Sequence, residues 1–241
     1  MTFPRTLLAA VLATVSLALL AGCEQPARVI EPLPPPIVHA PRPAPIVPPP
    51  APIPWTGQQI RGSVVVIDPG HGGRDPGALP KYAGQRTEKS IVLDIGNRVG
   101  RLLNERGARV IMTRGNDVYL ELQDRADIAE RNRADLFVSI HADSAERTSA
   151  SGAGIHIHTQ ASAKSQKAAL RMVASFKQHG IDCRGVFRNN FHVLRKHTRP
   201  AMLIECGFLT NPSDAQKLNS AGYRAQIAEA IADGVASYFG Q

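Results

Sequence analysis

Proline confines the folded part of this chain to the residues after Gly57. Thirteen of the nineteen prolines lie between Pro26 and Pro54. Proline has no backbone N–H to donate and fixes φ, so we expect this segment to be extended polyproline II or irregular chain. The roughly 185 residues that follow are enough to bury the core of one ordinary domain. We therefore expect a single folded domain over residues 57–241.

The first residues have the pattern of an export signal. Arg5 precedes an apolar run, Leu7 to Leu20, that is too short for an ordinary spanning helix and typical of a signal-peptide core. The run ends in Leu20-Ala21-Gly22-Cys23, which resembles the bacterial lipobox, where diacylglycerol is attached to the cysteine. This resemblance implies a signal peptide over residues 1–22 and a lipid anchor on Cys23. The alternative is an ordinary secretory signal with an incidental cysteine.

Residues 23–56 are interpreted as a lipid-anchored, proline-rich tether. About thirty extended residues at about 3.1 Å each would reach on the order of 90 Å. Such a spacer suits a domain that works beyond the membrane surface. Glu24 stands where an aspartate would favour the inner membrane, which favours a periplasm-facing outer-membrane lipoprotein. The alternative is a docking segment for a proline-recognition module.

The charge balance restricts the partners of the domain. The net charge is +8, and +7 remains on residues 57–241 because the earlier residues carry three arginines and two glutamates. This balance favours acidic partners. The Lys and Arg residues are scattered and only 5% of residues are aromatic, which argues against nucleic acid. We expect a monomeric catalytic domain.

Strand-like and helix-like patterns alternate after residue 60. Apolar runs predict strands at Val64–Ile67, Arg109–Thr113, Leu136–Ile140, Gly154–Thr159 and Ala201–Ile204. Helical periods cover Glu88–Arg106, Leu120–Arg133, Ser165–His179 and Tyr223–Tyr238, with Thr87 as an N-cap and Leu122 facing inward. Arg184 to Arg195 is predicted to be irregular. The alternation predicts an α/β domain with an open, mostly parallel or mixed, twisted sheet of about six strands flanked by helices.

Three of the apolar runs end on a side chain that can bind a metal or move a proton. His71, His141 and Glu205 each follow a predicted buried strand. Ligand sites of open α/β sheets gather beyond the carboxyl ends of the strands. Glu88 begins the next helix after His71, at the edge of its inward face. Two imidazoles and one carboxylate can hold a catalytic zinc, and a second carboxylate can act as general base, but the pattern does not assign the two glutamates.

Other cysteines and histidines are less informative. Cys183 and Cys206 could form a disulfide or remain as buried small hydrophobic residues. His156 and His158 share one face of a predicted strand by its period of two. With no third ligand near them in sequence, they are assigned to a solvated or cleft-lining face.

Five segments occur in an order that identifies a family. They are VVIDPGHGGRDPGA, TEKSIVLDIGNRV, FVSIHADS, FHVL and LIECGFLTNPSD, within residues 62–239. In these segments the chain resembles the zinc-dependent N-acetylmuramoyl-L-alanine amidases of the type-3 amidase family, which includes the periplasmic division amidases. The resemblance implies one Zn²⁺ per domain on His71, Glu88 and His141, with Glu205 as the catalytic glutamate. It implies hydrolysis of the amide between N-acetylmuramic acid and L-alanine of the peptidoglycan stem peptide.

Two further expectations concern substrate and regulation. Arg184, Arg188, Asn189 and Asn190 precede FHVL and either help bind the stem peptide or form a polar surface loop. The regulated division amidases carry a long insertion whose helix occupies the zinc cleft, whereas the interval before FHVL here has room for one helix. The sequence therefore predicts no autoinhibitory helix. The alternatives are a non-catalytic peptidoglycan-binding lipoprotein and a zinc peptidase of other specificity on the same scaffold.

Overall fold

The computed structural model describes residues 60–240, in which six strands and six helices follow the predicted alternation. The strands are β1 Val64–Pro69, β2 Arg109–Met112, β3 Leu136–Asp143, β4 Ala153–His158, β5 Cys183–Asn189 and β6 Ala201–Phe208. The helices are α1 Glu88–Glu105, α2 Leu122–Arg131, α3 Ala163–Gln178, α4 His192–Arg195, α5 Pro212–Asn219 and α6 Ala221–Phe239.

The predicted signal peptide, the Cys23 anchor and the tether lie outside the described residues. Within residues 60–240, no helix combines the length and the apolar character that a membrane crossing requires.

The six strands form one mixed sheet in the order β2-β1-β3-β6-β4-β5. Each neighbouring pair is parallel except β4 and β6, which are antiparallel. This sheet confirms the predicted fold class. Because β1, β3 and β6 are adjacent and parallel, their carboxyl ends lie side by side at one edge of the sheet.

Both faces of the sheet are covered, which explains why its central strands are apolar throughout. Val65 and Ile67 of β1 belong to a large core formed with α1, α3 and α6. Val66 points the other way, into a smaller core with residues of α2 and α4. By the same alternation, His141 of β3 and Glu205 of β6 point to the face of the smaller core, at the end of the sheet.

The structure corrects several local predictions. Arg184 to Arg195 is not irregular, because it contains β5 and α4. As an edge strand, β5 buries Val186 and Phe187 between polar residues and so lacks the continuous apolar run of a central strand. Leu122 is 52% exposed at the start of α2 and does not face inward. Thr87 occupies the N-cap position of α1, but its side chain makes no capping hydrogen bond.

The strand order shows whether Cys183 and Cys206 form a disulfide or remain free thiols. Cys183 and Cys206 are free and buried. Cys183 pairs with Ala153 of β4, and β4 separates β5 from β6. Two strand spacings put the Cα atoms roughly 9 to 10 Å apart, beyond the reach of a disulfide. Both residues therefore serve as small hydrophobic side chains.

Candidate metal centre

The three predicted ligands converge on one point. Nε2 of His71 lies 2.9 Å from Oε1 of Glu88, and Nδ1 of His141 lies 3.1 Å from the same oxygen. The two imidazole nitrogens are 3.2 Å apart. Among residues 60–240, these three side chains form the group whose atoms could hold a metal ion. Donors around a tetrahedral zinc are roughly 3.3 Å apart, so the nitrogen, nitrogen and oxygen donors fit this ion.

Glu88 is held as an oriented carboxylate. It is buried in the first turn of α1, where the backbone N–H of Ala78 donates to Oε2 at 2.7 Å and that of Ala142 to Oε1 at 3.0 Å. Burial acts to raise the pKa of Glu88, but hydrogen bonds and positive charge from His141 and His71 outweigh it. The pKa therefore lies well below its ordinary value, and Glu88 is ionised.

His71 is fixed on both sides of its ring. Its Nδ1 lies 2.8 Å from Oδ2 of Asp75, while Nε2 faces Glu88. Burial acts to lower the pKa of His71, but the two carboxylates raise it above 6.5 in the metal-free protein. Asp75 was not predicted from the sequence, although an acidic residue four positions after a candidate ligand was a usable signal. Many zinc-bound histidines donate their second N–H to such a carboxylate.

Two glycines of the loop after β1 have steric roles. A Cβ atom on Gly70 would lie 2.2 Å from Cε1 of His141, so the absent side chain makes room for this imidazole. Gly77 has φ +67°, and a Cβ there would lie 2.5 Å from Oε2 of Glu88. The loop can thus pass close to both ligands only with glycine at these positions.

A buried carboxylate lies beneath this loop. Asp68, at the end of β1, is fully buried and accepts hydrogen bonds from Thr113 at 2.7 Å, Ser139 at 2.7 Å and Arg125 at 2.9 Å. It therefore joins β1, β3 and α2 directly below the candidate metal ligands. The role of Asp68 was not predicted from the sequence, because its partners are distant in sequence.

Glu205 lies beside the ligand cluster rather than in it. Its Cα is the register partner of His141 on the neighbouring parallel strand, so both side chains emerge on the same face. It is partly exposed. The geometry thus distinguishes the two glutamates. The Glu88 carboxylate contacts the imidazoles of His71 and His141, whereas Glu205 lies on the strand next to that of His141.

The four substrate-binding candidates lie at β5 and just after it, and Arg184 extends across the neighbouring strand β4. Its guanidinium lies 5.2 Å from the Phe187 ring and 4.7 Å from the Phe208 ring. A Cβ on Gly154 would be 2.9 Å from Nη2 of Arg184, and Gly154 is the register partner of Glu205. Arg184 therefore reaches back over β4 towards β6.

The other three candidates are used within the protein. Nη1 of Arg188 donates to the carbonyls of His158 at 3.3 Å and Thr159 at 2.7 Å. The Asn189 side chain bonds His156 at 2.6 Å, and that of Asn190 bonds His158 at 3.3 Å. His156 is buried and stacks on Phe187, so it is not on a solvated face.

The fold, the ligand cluster and the neighbouring glutamate agree with a comparison of families. A family model described as N-acetylmuramoyl-L-alanine amidase (Amidase_3) matches residues 65–237. The chain belongs to this amidase family. Zinc dependence is a standard property of the family.

Individual members of the amidase family show the extent of the similarity. LytC of Bacillus subtilis is 37% identical over 182 residues, covering 75% of this chain and 36% of LytC. AmiA of Escherichia coli is 32% identical over 221 residues, covering 73% and 76%. An amidase structure from Clostridium difficile 630 superposes with a TM-score of 0.71 at 37% identity, covering 74% of this chain and 97% of that one. The chain spans only 36% of LytC and 60% of a further relative, LytH of Staphylococcus epidermidis.

Proposed function

We propose that this protein is a peptidoglycan hydrolase that cleaves the amide between N-acetylmuramic acid and L-alanine of the stem peptide. The observation that carries the proposal is the convergence of His71, Glu88 and His141 beside Glu205 in a member of the amidase family. LytC and AmiA, which share the domain, are named as N-acetylmuramoyl-L-alanine amidases. The substrate is therefore the bacterial cell wall.

His71, Glu88 and His141 would hold one Zn²⁺. The bound ion would lower the pKa of a water molecule to about 7 and polarise the scissile carbonyl. The two backbone donors orient the Glu88 carboxylate for its role as a ligand, and His71 and His141 keep it ionised despite its burial. The carboxylate of Glu205 then acts as general base, accepting a proton from the attacking water and passing it to the leaving amine nitrogen.

Arg184 is the best placed of the four candidates to bind the stem peptide. Its guanidinium is oriented by two aromatic rings and comes close to the register partner of Glu205. Guanidinium groups bind carboxylates strongly, and stem peptides carry carboxylates. Arg188, Asn189 and Asn190 contribute to substrate binding by shaping the wall of the same cleft.

Purified sacculi provide the test. The full chain with zinc should release free stem peptides, and a chelator or the substitution Glu205→Ala should abolish the release. Glu205→Ala should retain zinc binding, since Glu205 is not in the ligand cluster. Binding to sacculi without any chelator-sensitive release would instead identify a non-catalytic wall-binding lipoprotein. Cleavage elsewhere in the peptide would identify a zinc peptidase of other specificity.

We further propose that no helix of this chain inhibits the site. The interval between β4 and β5 contains α3, whose apolar face is buried in the large core with α6. The AmiA comparison extends over 221 positions but takes in only 73% of this chain, so AmiA has residues within the aligned region that this chain lacks. The purified protein should cleave sacculi without an activator. Activity that appears only after a partner is added would contradict the proposal.

A lipid anchor on Cys23 completes the proposal. The lipobox-like Leu20-Ala21-Gly22-Cys23 and the proline-rich residues 23–56 support a monomeric, periplasm-facing domain tethered to the outer membrane. Metabolic labelling with a fatty-acid analogue should modify the wild-type chain but not Cys23→Ser. Recovery of both proteins in the soluble periplasmic fraction would contradict the anchor, and sedimentation with inner-membrane vesicles would contradict the choice of membrane.

A further inference from the structure

Two buried arginines hold the backbone of the loop that carries His71. The carbonyls of three consecutive residues, Pro69, Gly70 and His71, all accept hydrogen bonds from guanidinium groups. The donors are Arg114, just after β2, and Arg125 on α2, and both are only 2% exposed. These hydrogen bonds go to main-chain carbonyls of the loop, so the two arginines contribute to the path of the main chain.

Arg125 fixes the peptide group after His71. Its Nη2 donates to the His71 carbonyl at 2.7 Å, and its Nη1 donates to the Pro69 carbonyl at 2.8 Å and to Oδ1 of Asp68 at 2.9 Å. Its Nε donates to the Leu120 carbonyl at 3.2 Å, which ties the guanidinium to the start of α2. The planar fork of arginine can satisfy these acceptors together, whereas the single ammonium of lysine cannot.

Arg114 fixes the peptide group before His71. Its Nη2 donates to the Gly70 carbonyl at 2.6 Å and its Nε to the Pro69 carbonyl at 2.9 Å. The remaining donors reach the carbonyls of Asn116 and Lys89 at 3.1 and 3.0 Å. The two peptide groups that bound the Cα of His71 are therefore held by two different side chains.

The two arginines restrain the backbone at His71, which has an unfavourable conformation. His71 has φ +59°, a left-handed conformation that residues other than glycine rarely adopt. The φ and ψ angles of His71 determine the direction of its Cα–Cβ bond, and hence whether Nε2 reaches the point shared with Glu88 and His141. Fixing both adjoining peptide groups fixes that direction.

We propose that Arg114 and Arg125 are positioning residues that set His71 for metal binding by clamping the peptide groups on either side of it. The inference rests on the zinc site of the proposed function but not on which bond is cleaved. If the arginines only stabilised the fold, replacing them would lower the stability of the metal-free protein and leave zinc affinity unchanged. If they position His71, replacing them also lowers the zinc affinity of the protein that remains folded.

The test compares Arg125→Lys with Arg224→Lys in the full chain. Arg224 on α6 is a matched control, because it is also buried, donates to the carbonyls of Leu218 and Asn219, and pairs with Asp94 away from the metal centre. Zinc affinity is measured with Zn²⁺ alone by competition with a chromogenic chelator, and stability by urea unfolding of the metal-free proteins. Both variants should be less stable than wild type. Zinc affinity should fall about 10-fold to 100-fold in Arg125→Lys alone.

An unchanged zinc affinity in Arg125→Lys, or an equal loss in Arg224→Lys, would overturn the proposal. If Arg125→Lys does not fold, Arg114→Lys decides the question, since it releases the peptide group on the other side of His71 and should weaken zinc binding similarly. No peptidoglycan enters these titrations. A wild-type protein that binds zinc but leaves sacculi intact would contradict the proposed function and leave the positioning result standing.

Discussion

Asp75 lies 2.8 Å from Nδ1 of His71, on the opposite edge of the imidazole from the nitrogen that faces Glu88. An ionised carboxylate at this position selects the tautomer with hydrogen on Nδ1, which leaves Nε2 free to bind a metal. The backbone N–H of Gly77 donates to Oδ1 of Asp75 at 3.0 Å and keeps the carboxylate in place.

Asp75→Asn should therefore weaken zinc binding without unfolding the protein. The amide can rotate its NH₂ group towards Nδ1 and favour the wrong tautomer, so we expect zinc affinity to fall about 10-fold to 100-fold. Because the Asp75 side chain is 42% exposed, the urea midpoint of the metal-free protein should change little. Asp124→Asn, at an exposed position of α2, is the control and should bind zinc as the wild type does. Equal affinities for Asp75→Asn and wild type would refute this role.

Asp68→Asn should be strongly destabilising. The buried carboxylate accepts from three side chains, and an amide in its place leaves Arg125 with a buried charge that lacks its counterion. Breaking a buried ion pair in this way costs about 3 to 5 kcal/mol. Urea unfolding of the metal-free protein measures the loss. Ser139→Ala removes only one neutral donor to the same carboxylate and should cost about 1 kcal/mol, so similar losses in the two variants would contradict the ion-pair explanation.

Gly70→Ala should disable the metal centre through the position of His141. The added methyl group would overlap the imidazole, which must then move away from Glu88. We expect loss of amidase activity and at least about tenfold weaker zinc binding, by analogy with other displaced metal-site groups. Gly115→Ala is the matched control, since a Cβ there meets no atom within 4 Å. Retention of wild-type zinc affinity by Gly70→Ala would show that the loop can shift to accommodate the methyl group.

Cys183 and Cys206 should react slowly with alkylating reagents in the folded protein. Burial raises the pKa of Cys183 to about 11 and that of Cys206 well above its usual value. The thiolate is the reactive form, so a raised pKa means that at pH 8 roughly a thousandth of Cys183 is reactive. Iodoacetamide labelling followed by peptide mass spectrometry should show slow modification at both positions, and rapid modification in concentrated urea. Labelling of the folded protein at the unfolded rate would contradict the burial of these thiols.

The proximity of two candidate metal ligands, His71 and His141, could be predicted from the sequence because they follow strands that are apolar on both faces. Runs such as Val64–Ile67 and Leu136–Ile140 mark central strands, and the carboxyl ends of adjacent parallel strands meet at one edge. Periodicity placed Glu88 on the inward side of α1, but its assignment as a ligand came from the family resemblance. The assignment of Glu205 as the base remains a prediction, since its position beside the cluster does not establish its role.

The supporting residues could not be predicted in the same way. Arg114 and Arg125 act on main-chain carbonyls, and no sequence pattern tells which backbone an arginine will meet. The separation of Cys183 from Cys206 depended on β4 lying between their strands, which the sequence does not reveal. β5 was missed because an edge strand needs few apolar residues, and charged side chains at an edge protect it from pairing with other chains.

The place of β6 in the sheet has a consequence for incomplete chains. The last strand in sequence occupies an interior position, between β3 and β4, and it is the only strand that connects β2-β1-β3 to β4-β5 within the described sheet. All three candidate metal ligands precede it in the chain, whereas Glu205 is on it. A polypeptide that stops before Ala201 would contain every candidate metal ligand yet have a divided sheet and lack Glu205. The candidate ligands and Glu205 can therefore come together only after the strand that joins the two parts of the sheet has been added.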